Sequence, residues 1–237
     1  MTAKFISKIE DWDRTIILRL NGFGGKLFTV ILRGLSFLGR ETIWICLMIY
    51  FFFIWYDPLL FSQISSTFLI GVLTIAPIKK IVNRARPFEN LKQIQVLEPK
   101  PTSRSFPSWH AYNLVSQGLL FSMLLDSIFI SITFFIIALL VGFSRVQLGS
   151  HYPSDVIFGG IIGVFGYLVA ISIVTPILQL IIGFFENLLV MEIAHQAFSP
   201  LLRYFWYSLI IFLAYLAVLY IAFYKRIKKY IKKLENK

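Results

Sequence analysis

Thirty consecutive residues, Val156–Phe185, carry no Asp, Glu, Lys or Arg. A transmembrane helix needs about 20 mostly apolar residues, so this run alone is long enough to cross a bilayer. Further stretches without those four residue types are Thr42–Tyr56, Pro58–Ile78, Ser105–Leu125, Ser127–Ser144 and Tyr204–Tyr224. Together they predict an all-α fold, a polytopic membrane helical bundle of about six transmembrane helices with an amphipathic N-terminal helix. The chain is 57% hydrophobic and only 15% charged. A soluble domain has about 45–50% and about 25% of these. Its net charge is +11, but a soluble nucleic-acid binder would carry that excess on a polar composition, and the apolar content excludes a disordered basic tail protein. The single cysteine, Cys46, lies in an apolar run and reads as a small hydrophobe.

No polar linker separates two hydrophobic blocks, so one membrane domain, 41–224, is expected, preceded by an interfacial segment, 1–40, and followed by a basic tail, 225–237. The first twenty residues mix Lys4, Lys8, Glu10, Asp11, Asp13, Arg14 and Arg19 and do not resemble a cleavable signal. Lys26, Arg33 and Arg40 recur every seven residues, close to two helical turns, with Leu27, Val30, Ile31 and Leu35 as the apolar remainder. In the tail, Lys225, Arg226, Lys228, Lys229, Lys232 and Lys233 surround Ile227, Ile231 and Leu234. Both ends read as anchors on a bilayer with anionic lipids, at roughly 1 kcal/mol per basic residue near the surface. Nucleic acid is not an expected partner. Gly159 and Gly163 form a small-xxx-small pair that permits close helix packing in the bundle, with a homodimer contact as the alternative.

The polar residues beside the spans carry the chemistry. Lys79, Lys80, Arg84, Arg86 and Pro87 close the second run; Ser103, Arg104, Ser105, Pro107, Ser108 and His110 open the third; Ser144, Arg145, His151 and Asp155 lie between the fourth and fifth. Antiparallel spans place all three clusters on one membrane face. Converging Lys and Arg side chains suit a multiply charged anion, Arg as a planar fork and Lys as a compact charge. Pro107 and Ser108 at a helix start add backbone N–H groups and the positive end of the helix dipole. Two histidines in such a site suggest one nucleophile and one general acid. Asp155, four residues after His151, is placed to fix the tautomer of that ring. No carboxylate cluster suggests a metal, and no cofactor is expected. Lys80, Arg84, Lys92 and Lys100 also suit simple snorkelling to headgroups. His195, beside Glu192, reads as structural.

These clusters resemble the three-part signature of the type 2 phosphatidic acid phosphatase superfamily, the membrane relatives of bacterial acid phosphatases and vanadium haloperoxidases. Lys79 with Arg86-Pro87 matches the first part, and Ser144-Arg145, His151 and Asp155 match the third in full. The second is usually Pro-Ser-Gly-His; here it reads Pro107-Ser108-Trp109-His110. The resemblance implies His151 as nucleophile, Asp155 as its orienting partner and His110 as acid for the leaving group. It implies Lys79, Arg86, Ser108, Trp109 (through its backbone) and Arg145 as phosphate ligands. Trp109 replaces a glycine and adds bulk, which points to altered selectivity for acyl chain or headgroup.

The function expected is an integral membrane phosphatase, metal-independent, hydrolysing a lipid phosphate or polyprenyl diphosphate through a phosphohistidine. The alternatives are a phosphotransferase using the same intermediate and a non-catalytic lipid-binding or transport protein. The expected location is the bacterial cytoplasmic membrane. The clustering of basic residues at the termini and site loops would make their face cytoplasmic by the positive-inside rule. The resemblance implies instead an extracytoplasmic site, and that orientation is the one adopted.

Overall fold

The computed structural model describes residues 2–188, together with 205–206, 209–210, 212–218, 220–221 and 224. His195, Glu192, Arg203 and the basic tail lie outside the described residues. Among the described residues the chain is helical, with no strand.

The chain divides into two compact units. The first, residues 1–40 and 66–174, contains every residue of the three polar clusters. It begins with α1 (Thr2–Leu20) and α2 (Gly25–Ser36), apolar enough together to be a span but bent by 119° at their junction. In α2 one side is buried and the other exposed. Thr29, Leu32 and Ser36 are buried on one side, while Leu27, Val30 and Ile31 are exposed alongside Lys26 and Arg33. Apolar and basic residues sharing an outward surface suit a headgroup boundary.

The second unit, residues 41–65 and 175–237, contains α3 (Glu41–Ile49), which runs into a π-helical turn, Tyr50–Ile54. It also contains the start of α4 (Pro58–Val82), and α9 (Thr175–Leu188). In it the Tyr56 hydroxyl donates to Glu186 Oε1 at 2.5 Å.

The rest of the first unit is built around α6 (Trp109–Leu125), which packs against α7 (Ile128–Gln147) and α8 (Pro153–Val169). The approach of α6 to α8 is close because Gly159 and Gly163 have no side chain. A Cβ on Gly159 would lie 2.5 Å from the Ser108 carbonyl oxygen, and one on Gly163 2.9 Å from that of Tyr112. This is the packing role read from the glycine spacing. Tyr112, fully buried, ties α6 to α4 through its hydroxyl, which donates to the Thr67 carbonyl at 2.7 Å.

Among the described residues, three helical runs are long and apolar enough to cross a membrane: Pro58–Asn90, Ile128–Gln147 and Pro153–Leu188, or four if the bent α1–α2 pair is one span. The first of these includes α5 (Pro87–Asn90). Two of the other expected spans are shorter as helices. The run from Ser105 loses its first four residues to the approach to the Ser108 N-cap, leaving 17 in α6, and Glu41–Ile54 is a short apolar helix.

Candidate active site

Helix termini build the site. Lys79 stands in the last turn of α4, Arg86 caps α5, Ser108 caps α6 and Arg145 lies in the last turn of α7. Between α7 and α8 the chain reverses through Gly149, whose φ of +75° favours glycine. Asp155 is the third residue of α8, and its carboxylate accepts from the Tyr152 N–H at 2.8 Å. It thus belongs to the capping box that starts the helix as well as to the site. An anion there is favoured by the N-terminal end of the helix dipole.

His151 is 2% exposed. Its Nε2 lies 3.3 Å from Arg86 Nη1. Arginine can only donate, so this contact assigns the lone pair to Nε2 and the ring proton to Nδ1. Nδ1 faces Asp155 Oδ2 at 3.6 Å, a little beyond hydrogen-bond length. The pairing read from the sequence is therefore present as proximity, a few tenths of an ångström from a hydrogen bond. Burial, then the positive charges of Arg86, Lys79 and Arg145, hold the His151 pKa well below its ordinary value. At neutral pH the ring is uncharged, with a nitrogen lone pair directed at cations.

Lys79 and Arg86 are held by carbonyl groups. Lys79 Nζ donates to the Arg104 carbonyl at 2.6 Å and the Ser105 carbonyl at 3.3 Å. Arg86 Nε donates to the Ser103 carbonyl at 2.7 Å, and Nη1 to the Ser150 carbonyl at 2.6 Å. Ser108 donates its N–H to the Asp155 carbonyl at 2.9 Å, joining the start of α6 to the start of α8. His110 follows in the first turn of α6. Gly39 packs directly on it, a Cβ there falling 2.8 Å from His110 Cβ. Trp109 is accommodated by turning its indole edge-on to Phe68, at 5.7 Å, and stacking it on Tyr112, at 5.9 Å. Its backbone N–H remains among the first-turn groups that have no intrahelical acceptor.

Two features were not apparent from the sequence. Arg145 is held bidentate by Glu98, Nη2 to Oε1 at 2.6 Å and Nη1 to Oε2 at 2.8 Å, and Nη1 also donates to Ser36 Oγ at 2.6 Å. Its Nε is buried with no partner. Arg84, read as a candidate for snorkelling, instead bridges two buried carboxylates, Asp13 at 2.6 Å and Asp155 at 2.7 Å. Ser105 Oγ donates to Asp155 Oδ2 as well. Neither Asp13 nor Glu98 has a local signal, since their partners lie far along the chain.

A helical membrane protein that gathers a buried histidine, a buried aspartate and the basic side chains of Lys79, Arg84, Arg86 and Arg145 around its helix ends has the groups that a phosphate-binding site needs. The PAP2 superfamily model matches residues 55–178. An undecaprenyl-diphosphatase of Sulfolobus acidocaldarius is 33% identical over 153 residues, 60% of this chain and 74% of that protein. Two solved structures share the fold. Aquifex aeolicus LpxE superposes with a TM-score of 0.60 at 22% identity, covering 67% of this chain and 93% of LpxE. The first transmembrane PAP2-type phosphatidylglycerolphosphate phosphatase from Bacillus subtilis gives 0.57 at 21% identity, covering 76% and 87%. The chain belongs to the PAP2 superfamily and is an integral membrane phosphatase of that superfamily.

Proposed function

We propose that this protein hydrolyses a lipid phosphomonoester or diphosphate through a phosphohistidine formed at His151, without a metal ion. The observation that carries the reading is the orientation of His151, with Nε2 against Arg86 and Nδ1 against Asp155. Lys79, Arg86, Arg145, Ser108 and the Trp109 N–H bind the phosphoryl oxygens. Nε2 attacks phosphorus, the N–P bond forms and the P–O bond to the lipid breaks. His110 gives its proton to the departing oxygen, and the charge of the bound phosphate favours the imidazolium needed for that step. Neutral His110 then takes a proton from water, whose oxygen attacks phosphorus and releases inorganic phosphate and His151. As the imidazolium of His151 develops, Asp155 stabilises it through Nδ1–H. Lys and Arg supply the positive charge on the phosphoryl group. Among the described residues no group of three or more His, Cys, Asp or Glu is placed to hold a metal.

The name of the Sulfolobus relative makes a polyprenyl diphosphate the first substrate to test, with phosphatidic acid and phosphatidylglycerophosphate beside it. The site is proposed to face away from the cytoplasm. The experiment is phosphate release from this panel in detergent micelles, with chelator present, for the wild type and for His151→Ala. Release by the wild type, its loss in His151→Ala and trapping of an acid-labile phosphoenzyme only in the wild type are expected. Strict dependence on added Mg²⁺, or substantial turnover by His151→Ala, would overturn the mechanism.

A further inference from the structure

We infer that Asp13, on the N-terminal helix, is a positioning residue for the His151–Asp155 pair, so that α1 is a working part of the catalytic apparatus rather than only a membrane-surface anchor. The inference rests on the reading of His151 as nucleophile. Asp13 is fully buried, unusual for a carboxylate in an amphipathic helix otherwise rich in exposed charge. Its Oδ1 accepts from the Ser154 N–H at 2.8 Å. Its Oδ2 accepts from Ser154 Oγ at 2.5 Å and from Arg84 Nη2 at 2.6 Å. Arg84 Nη1 then donates to Asp155 Oδ1 at 2.7 Å and to Ser154 Oγ at 2.8 Å, and its guanidinium lies over the Tyr152 ring at 4.2 Å. A chain of contacts thus runs from Asp13 through Arg84 to Asp155, and Asp155 Oδ2 faces the nucleophile's Nδ1.

Charge explains why two carboxylates share one guanidinium. With Asp155 as its sole acidic partner, Arg84 could rotate to take both carboxylate oxygens, since a guanidinium and a carboxylate pair best as a two-point fork. That would draw Oδ2 from His151. Asp13 occupies the second arm of Arg84 and limits its hold on Asp155 to Oδ1. Ile17, one helical turn after Asp13 and fully buried, packs with Ile94, Val146 and Tyr152, fixing α1 beside the start of α8. Asp13 touches none of the residues assigned to the phosphate, so its effect should fall on the chemical steps and not on substrate binding.

The test is Asp13→Asn in the full-length protein, with phosphate release giving kcat and KM, vanadate inhibition giving oxyanion affinity, and thermal unfolding giving stability. Ser154→Ala, which removes only one hydroxyl from the network, is measured in parallel. The expected result for Asp13→Asn is a fall in kcat of tenfold or more, with KM and vanadate affinity within twofold of the wild type. Ser154→Ala should show the same split, smaller in size. A kcat within twofold of the wild type in Asp13→Asn, or parallel losses of kcat and vanadate affinity in both variants, would overturn the inference. If Asp13→Asn does not fold, the split in Ser154→Ala decides it. Absence of phosphate release by the wild type would instead defeat the proposed function itself.

Discussion

In the proposed mechanism His151 attacks phosphorus only while Nε2 keeps its lone pair, so protonation of the ring is expected to switch the reaction off. Burial and the charges of Arg86, Lys79 and Arg145 depress its pKa, so activity is lost, as pH falls, below the range of an ordinary imidazole near 6.5. The acid limb of kcat/KM, which reports the free enzyme, is expected beneath that value, measured with a substrate that does not itself titrate there. A limb at or above it would show that the ring does not sit among those cations. Lys79 is proposed as a phosphate ligand, and Lys79→Ala is therefore expected to raise KM far more than it lowers kcat; steady-state assays check this. Glu98 poses a different question. Its carboxylate already fills the two-point fork of Arg145, so a phosphate reaching Arg145 has to displace that carboxylate or share the arginine with it. Two anions close together in a partly buried site repel by several kcal/mol before screening. Glu98→Gln is therefore expected to strengthen inhibition by inorganic phosphate by about tenfold, which corresponds to ~1.4 kcal/mol. Unchanged or weaker inhibition would mean that phosphate binds without disturbing the pair.

At the scale of helices, the site depends on how closely α6 and α8 approach. Gly159→Ala would place a Cβ 2.5 Å from the Ser108 carbonyl, against backbone that also donates from Ser108 to Asp155. Overpacking of this kind costs about 1–3 kcal/mol. Gly160→Ala places its Cβ 3.5 Å from Val115, an ordinary contact, and replaces a mid-helix glycine that costs roughly 1 kcal/mol relative to alanine. The first variant is expected to lower the unfolding midpoint in detergent and reduce turnover, the second to raise the midpoint and leave turnover intact. Equal behaviour would show that the two helices lie further apart. The glycine spacing announced this packing because close approach depends on a local pattern. The helical membrane character was legible for the same reason, in the length of the uncharged runs. Span lengths were less so, because an uncharged run and a helix do not end together: α4 continues past Lys79 to Val82, whereas α6 begins only after the Ser108 cap. The three motifs could be read because each is short and contiguous. Asp13 and Glu98 could not, since Asp13 meets Ser154 across 141 residues and Glu98 meets Arg145 across 47. Only the fold brings those partners together, and no periodicity records it.

For the whole molecule, the structure changes how charge bears on which side of the membrane the site faces. The positive-inside rule concerns Lys and Arg left free beside the ends of spans. Arg84 and Arg145 are instead matched by Asp13, Asp155 and Glu98, and Arg86 is buried against carbonyl groups. Their charge serves the site on whichever side it lies and carries little information about orientation. The exposed cations of α1 and α2, among them Lys8, Arg14, Arg19, Lys26 and Arg33, still argue for a cytoplasmic face. These two helices, however, also expose Trp12, Leu27, Val30 and Ile31, and a surface of that kind binds anionic headgroups in either leaflet. An extracytoplasmic site is the orientation expected. Gln93 is exposed in the turn after α5, outside the residues assigned to catalysis. Gln93→Cys in a Cys46→Ser background provides one reactive thiol beside the site. An impermeant maleimide applied to intact cells should label it, with permeabilisation adding little. Labelling that appears only after permeabilisation would place the site in the cytoplasm and show that the N-terminal cations decide the topology.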